Sequence, residues 1–345
     1  TAVLTPQEVE ELFGIFEQLT AQGGTIIFIT HKLGEALTAA DEITVLRDGR
    51  RVDTVDAADT TREELAEMMV GREVLLAVDR GARSGGSGAV RLAVEDLAVD
   101  DDRGEQAVHG VDLAVHDGEI VGIAGVDGNG QGPLVEAVTG VRDAEAGTVR
   151  FGEEDVTGLS RRERLARGLA HVPSDRQEQA LVLDFDLVSN AILGSQHREP
   201  FGGGGSIDWA AARDHAGAIV EEYDVRPPDP DATARSLSGG NQQKFVVGRE
   251  LSRDPDVVVA AHPTRGVDIG SKEFIHEQLL AMRERGVAVL LVSASLDEVL
   301  QLSDRVAVMY EGAFVDVVDP DTVTEEQLGL LMAGERPEEP AEAGR

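Results

Sequence analysis

Four short stretches of the chain combine residue types that suit phosphate chemistry. The first is Gly125-Val126-Asp127-Gly128-Asn129-Gly130-Gln131-Gly132, which follows an apolar run at 119–124 and opens a helical stretch at 133–140 with Pro133 at its first position. Closely spaced glycines let several backbone N–H groups converge on one anion, and the positive end of a helix dipole adds to the attraction. Two side chains there do not suit that task. A cradle for β- and γ-phosphates calls for Lys where Gln131 stands, and for a Ser or Thr hydroxyl that holds Mg²⁺ where Gly132 stands. By themselves the glycines fit a tight turn as well as a nucleotide site. The second stretch, Leu237-Ser238-Gly239-Gly240-Asn241-Gln242-Gln243-Lys244, sets a Ser and two glycines at the head of a helix expected over 239–252. An ordinary Ser N-cap would explain Ser238 but not the whole octamer. The third, 256–268 (DVVVAAHPTRGVD), is a buried-strand pattern ending in a turn with His262. A metal role for His262 lacks a second ligand at suitable spacing, so it reads as a partly exposed structural histidine, and no metal site is expected. The fourth is Thr30-His31-Lys32, at the end of an apolar run at 25–29 that reads as a strand.

The elements that must position these residues repeat along the chain. Residues 1–71 align without a gap on 264–334, at the constant shift that sets Thr1 on Thr264 and Gly71 on Gly334. Identities include Glu10/Glu273, Gly23/Gly286, Leu33/Leu296, Glu35/Glu298, Asp41/Asp304, Gly49/Gly312, Asp53/Asp316, Asp56/Asp319, Leu65/Leu328 and Met69/Met332. One helical face agrees as well, with Leu12, Phe16 and Leu19 matching Ile275, Leu279 and Met282. The shift sets Ala294 on His31, so the second copy keeps the pattern and lacks the imidazole. The sequence from about 90 to 263 occurs once, so the first copy is expected to be the end of a domain whose earlier part would precede Thr1. The expected division is a remnant at 1–76, a linker at 77–88 (AVDRGARSGGSG), a complete second domain at 89–335 and a disordered acidic tail at 336–345. A remnant of that size buries too little apolar surface to be stable alone.

In the second domain strand-like runs at 90–97, 108–115, 119–124, 147–151, 169–172, 256–261, 287–292, 305–310 and 313–317 alternate with helical stretches at 133–140, 161–168, 208–223, 239–252, 271–285 and 324–333. That alternation predicts an α/β fold with a largely parallel core sheet. The early strands and short turns such as Asp117-Gly118 add an antiparallel layer beside it. The glycine-rich 201–206 reads as a surface loop.

Composition narrows the partners. The 345 residues carry a formal charge of −34 and are 41% hydrophobic. A surface so acidic is unlike the basic stripe that phosphate contacts to nucleic acid require. No apolar run is long enough to span a bilayer, there is no cysteine, and no charged-then-apolar leader opens the sequence, so a cytoplasmic setting is expected. The three lysines, Lys32, Lys244 and Lys272, against many arginines reflect composition rather than chemistry.

LSGGNQQK at 237–244 resembles the signature sequence of ABC ATPases, in the form typical of tandem-domain importers of sugars and nucleosides. The resemblance covers 1–335 and is strongest at 237–268. It implies a P-loop NTPase-like ABC nucleotide-binding fold with a parallel core sheet, an antiparallel strand layer and a helical subdomain. It also implies that ATP and Mg²⁺ are the cofactors of the whole subunit, and that Ser238, Gly239, Gly240, Asn241 and Gln242 bind the γ-phosphate of an ATP held by the opposite domain. Gly125, Gly128, Asn129, Gly130 and Gln131 would then form a degenerate P-loop. His31 would be the catalytic switch histidine, and 1–8 (TAVLTPQE) resembles the stretch that follows the catalytic Glu of the first domain. Ala261 and His262 stand where the family has the Walker B Asp and the water-polarising Glu, and 171–176 lies loosely where a Q-loop facing the membrane subunit belongs, with Ser174 in place of Gln or Glu.

The resemblance therefore implies a subunit peripheral on the inner face of the cell membrane, paired with integral-membrane permease subunits and indirectly with an extracytoplasmic substrate-binding protein. It would couple ATP hydrolysis to uptake of a simple sugar or nucleoside. This piece alone would be inactive, because its own site lacks five groups at once. Two other readings are a soluble two-domain ABC protein acting on ribosomes or nucleic acid, which the acidity and the short linker oppose, and a purely structural domain that binds no nucleotide.

Overall fold

The computed structural model describes residues 6–30, 32–47, 49–71, 88–203 and 205–335. His31, nearly all of the expected linker and the whole expected tail lie outside the described residues. The chain divides into two units, Thr1–Ala77 with Gly266–Phe274, and Val78–Arg265 with Ile275–Arg345.

In the first unit, helix α1 (Pro6–Ala21) and helix α2 (Leu33–Ala39) precede the antiparallel hairpin β1 (Glu42–Arg47) and β2 (Arg50–Asp56), and helix α3 (Arg62–Val70) follows. A capping box fixes the start of α3, with Thr61 accepting from the Glu64 amide and the Glu64 carboxylate accepting from the Thr61 amide. Leu33, Val45, Leu65 and Ala66 form its small buried core. The expected strand at 25–29 is absent. These residues have no regular secondary structure, and Ile27 and Ile29 are 91% and 97% exposed. β-Propensity produces a strand only where a neighbour supplies the ladder, and among the described residues no strand flanks this run.

In the second unit, long strands β3 (Val90–Asp100) and β4 (Gln106–His116) open an antiparallel layer, and β5 (Ile120–Ala124) enters the core sheet. Then come α4 (Gln131–Thr139), β6 (Ala146–Phe151), β7 (Glu154–Asp155), α5 (Arg161–Leu165) and β8 (Leu169–Val172). A π-helical turn (Arg176–Ala180) and helix α6 (Leu187–Ala191) lead to the short hairpin β9 (Gly202–Gly203) and β10 (Ser206–Ile207), and to α7 (Trp209–Glu222) and α8 (Gly239–Leu251). The chain continues through β11 (Val257–Ala261), α9 (Ile269–Glu284), of which the part up to Phe274 is counted with the first unit, β12 (Ala288–Val292), α10 (Leu296–Leu302), β13 (Arg305–Tyr310), β14 (Ala313–Val318) and α11 (Glu325–Met332).

The core sheet runs β14-β13-β5-β12-β11-β8, parallel except for β14, and the second layer runs β4-β3-β6-β7, all antiparallel. Every residue of β5, β11 and β12 is buried. That is why these strands read as unbroken apolar runs rather than as alternating ones. Helices α6 to α8 gather around Leu187, Ile219 and Phe245, all essentially without solvent contact. No helix among the described residues is long and apolar enough to cross a membrane.

The expected α/β class and both sheet types are observed, with local differences. Helix α4 starts at Gln131, so Pro133 is its third residue. The Asp117-Gly118 turn closes no hairpin, because β4 and β5 belong to different sheets and the turn passes the chain between them. The glycine-rich 201–206 carries a two-residue-per-strand hairpin. Helix α6 and the π turn lie outside the expected helical stretches, being too short to show a period, whereas α10 is the helix that the repeat sets after Ser293-Ala294-Ser295. The bounds of α1, α2 and β1 return in α9, α10 and β13 at the shift that sets Thr1 on Thr264.

Candidate functional site

The glycine-rich loop leaves the fully buried β5 and runs into α4. Gly130 caps the helix at φ 104°, a conformation that L side chains rarely adopt, and a Cβ there would collide with the Ala107 carbonyl and lie 2.9 Å from Cε of Met309. Asn129 fastens the loop to the β13–β14 turn: its carbonyl accepts the Gly312 N–H at 3.0 Å and its Oδ1 accepts the Glu311 N–H at 3.0 Å. Gln131 does not reach outward. Its side chain is buried, its Nε2 donates to the Val126 carbonyl at 3.1 Å, and a Cβ on Gly125 would collide with that same amide. Gly132 is the opposite case, exposed and with no atom within 4 Å of the place a Cβ would take.

At the end of β11, Ala261 is buried and the next residue, His262, turns the chain at φ 47°. A non-glycine residue in the left-handed region is a local strain that the surroundings must hold. They do so through its amide, which donates to the Val292 carbonyl at 2.7 Å, and its ring, whose Nδ1 accepts the Ala294 N–H at 3.2 Å. That bond places the proton of the neutral ring on Nε2. Burial pushes the imidazole below the ordinary histidine range, only partly offset by the Asp127 carboxylate on the glycine-rich loop, so it is neutral at neutral pH.

Behind this strand end lies a carboxylate knot. Buried Glu298 accepts from Thr264 Oγ1 at 2.7 Å and from Ser293 Oγ at 2.5 Å, and pairs with His276 Nε2 at 2.9 Å. Burial opposes the charge, but the His276 ring and the two hydroxyls outweigh it and hold the carboxyl below the usual range. In the first unit Glu35 accepts from Thr30 Oγ1 at 2.9 Å and pairs with Lys32 Nζ at 3.0 Å, so the repeat extends to this contact.

The octamer 237–244 forms the head of α8. Leu237 is buried, and Ser238 is exposed and is the N-cap, its Oγ facing the Asn241 N–H at 3.4 Å. The first intrahelical bond runs from the Gln242 N–H to the Ser238 carbonyl at 2.9 Å, which leaves the amides of Gly239 and Gly240 at the open helix end. Asn241 braces the turn, donating from Nδ2 to Ser238 Oγ at 2.9 Å and accepting the Arg226 N–H at 2.8 Å. Gln242 is 3% exposed and faces inward: Nε2 donates to the Ala234 carbonyl at 3.0 Å, and Oε1 accepts from Gln177 Nε2 at 3.0 Å.

Gly125, Gly128, Asn129, Gly130 and Gln131 thus share one loop, next to the strand end that carries His262. Ser238, Gly239, Gly240, Asn241 and Gln242 share one helix head. Of the second group, Ser238 is exposed at the helix opening, Gly239 is partly exposed and Gly240 buried, Asn241 braces Ser238, and Gln242 points the other way. Gly132 in α4 and Ala261 at the end of β11 offer no oxygen ligand from their side chains, and no group of three His, Asp or Glu side chains that could hold a metal ion occurs among the described residues. Sequence reasoning missed Arg176, Gln177 and His276. Glu298 carried a signal, its identity with Glu35 in the repeat.

The family model described as "ABC transporter" matches residues 108–265. The chain is 46% identical to the guanosine import ATP-binding protein NupO of Bacillus subtilis, over 99% of this chain and 67% of that one. It is 43% identical to the nucleoside import ATP-binding protein NupA of Lactococcus lactis, over 97% and 66%, and 46% identical to the glucose import ATP-binding protein TsgD13 of Haloferax volcanii, over 97% and 61%. The chain therefore spans about two thirds or less of the length of these relatives. Among solved structures, the ADP conformation of MJ1267, an ATP-binding cassette of an ABC transporter, aligns with TM-score 0.58 at 23% identity, over 71% of this chain and 95% of that one. A dimeric post-hydrolysis state of the cassette MJ0796 bound to ADP and Pi aligns with TM-score 0.57 at 19% identity, over 66% and 98%. At these identities the likeness is one of fold.

Proposed function

Because the chain belongs to the ATP-binding proteins of ABC transporters, we propose that it serves a two-cassette importer subunit in which its α8 head completes an ATP site on the other cassette, while its own glycine-rich loop performs no hydrolysis. The observation that carries this reading is the contrast at two helix heads of one unit. Ser238 is exposed at the start of α8 with the Gly239 and Gly240 amides in the first turn behind it, whereas Gln131 is turned back onto its own loop. An open helix head with a hydroxyl suits the terminal phosphate of a nucleotide presented from outside.

Phosphoryl transfer depends on positioning and on stabilising charge. The chain's own site has Gln131 for a lysine, Gly132 for a hydroxyl, Ala261 for a metal-directed carboxylate, His262 for a water-orienting carboxylate and Ala294 for a histidine. Each charged hydrogen-bond partner is worth about 1.5–3 kcal/mol, and about 1.4 kcal/mol of barrier is a tenfold change in rate, so the combined losses leave no useful turnover. In the composite site, His31 would face the γ-phosphate of ATP bound with Mg²⁺ on the first cassette, opposite Ser238. The names of the relatives support a nucleoside or simple sugar as the imported solute. They also support permease subunits and a substrate-binding protein as partners, and a position at the inner face of the membrane.

The test is ATPase turnover of the whole subunit with its permease. Ser238→Arg and His31→Ala are each expected to abolish turnover, and Gln131→Ala to change it by less than about threefold. The reverse ordering would overturn the assignment of the two sites.

A further inference from the structure

The segment after β8, to which sequence reasoning gave no residue-specific role, holds a side chain that links two of the loops described above. Asp175 caps the π-helical turn by accepting the Gln177 and Glu178 amides at 2.8 and 3.0 Å, which fixes where the next side chain, Arg176, leaves the backbone. The half-buried guanidinium of Arg176 then reaches in two directions. Nη1 donates to the Arg265 carbonyl at 2.9 Å, and Nε approaches Oε1 of Gln242 at 3.4 Å, the same oxygen that accepts from Gln177.

Each end of this bridge is anchored. On one side, the Arg265 amide donates to the His262 carbonyl at 3.0 Å, and the adjacent Thr264 hydroxyl is tied to the Glu298 knot that also gathers Ser293 and His276. On the other side, Gln242 sits in the first turn of α8, next in sequence to Asn241, which braces Ser238, and its Nε2 holds the Ala234 carbonyl just ahead of the turn. A polar chain therefore runs without a break from the knot behind β11, through Thr264, Arg265, Arg176 and Gln242, to the α8 head.

We propose that Arg176 is a positioning residue for the composite ATP site: it fixes the α8 head relative to the strand end of β11, so that the scaffolding of the non-hydrolytic site holds Ser238 and the glycine amides in register for the opposing nucleotide. This rests on the reading that the Ser238 turn acts on a phosphate held by another cassette. The chemistry requires arginine, because a planar fork donates to a carbonyl and an amide oxygen from two fixed nitrogens, whereas one ammonium on a flexible stem does not reproduce both directions.

The experiment is steady-state ATPase of the whole subunit carrying Arg176→Lys, Arg176→Ala, Gln242→Ala, the Arg176→Ala/Gln242→Ala pair and, as a reference, Ser238→Arg. Both arginine variants are expected to lower kcat by about tenfold to a hundredfold, in keeping with misplacement remote from the chemistry. KM for ATP should stay within about twofold, since the nucleotide is held on the other cassette. The double variant should lose no more than the larger single, the signature of residues acting as one unit. Arg176→Lys keeps charge and bulk, so it reports even where the alanine variant does not fold. Wild-type kcat in Arg176→Lys, or multiplicative losses in the double variant, would overturn the proposal while leaving the composite site intact, provided Ser238→Arg is inactive. Turnover in Ser238→Arg would remove the composite-site reading and this proposal with it.

Discussion

Two glycine-rich turns in the second unit have the same local plan, a loop running into a helix N-terminus, and opposite outcomes. The loop before α4 is closed on itself, with Gln131 folded onto the Val126 carbonyl and Asn129 bonded twice to the β13–β14 turn. The turn before α8 keeps its hydroxyl exposed, and its neighbouring side chains brace it from behind. Glycine content does not distinguish them. The difference lies in where the first polar side chains of the helix go, inward to fill the cradle at α4 and backward to support it at α8.

The largest expected effect comes from testing how rigid the closed loop is. Gly130→Val places a branched side chain at φ 104° against the Ala107 carbonyl and Met309. Left-handed strain and overpacking each cost about 1–3 kcal/mol, so chemical unfolding of the chain should show a loss of about 2–6 kcal/mol. A loss below about 1 kcal/mol would mean that the loop yields and the contrast is softer than drawn.

A gain of function sharpens the comparison from the other side. Gln131→Lys with Gly132→Ser restores a cation and a hydroxyl, and the space at Gly132 admits the serine without a clash. One charged hydrogen bond is worth about 1.5–3 kcal/mol, so labelled ATP should bind about tenfold to a hundredfold more tightly than to the parent chain. Hydrolysis should stay absent, because Ala261 and His262 are unchanged. Unaltered binding would show that the lost cation is not what closed the loop.

A third effect, small within any one pH unit, separates the surroundings of the two turns by pH. His171 in β8 is 5% exposed and neither ring nitrogen has a hydrogen-bond partner, and burial with nearby Arg161 pushes its pKa down to about 3 from 6.5. The folded chain therefore holds the ring neutral where the unfolded chain protonates it. Its stabilising contribution is complete above 6.5 and falls as pH drops from there toward about 3, by at most about 1.4 kcal/mol per pH unit. His171→Phe should flatten the pH dependence of the urea midpoint across that window, and an unchanged slope would exclude His171 as its source.

The extent to which the sequence foretold this arrangement follows from which forces are local. Runs such as 257–261 and 288–292 announce buried parallel strands because both faces are apolar, and Ser238 announces its helix because an N-cap is a local bond. The run at 25–29 has the same look as 288–292 and forms no strand, since a ladder belongs to neighbours that a linear reading does not contain. The direction taken by Gln131, the bridge made by Arg176 and the convergence on Glu298 each depend on partners far along the chain, and no spacing rule announces them.

That unpaired run has a practical consequence for anyone handling the protein. Ile27 and Ile29 sit almost fully in water in a β-branched run whose amides and carbonyls have no ladder among the described residues. Such a stretch is a template for the same stretch in another molecule. Concentrated solutions of this chain by itself should turn cloudy with time, and a lysine in place of either isoleucine should keep them clear.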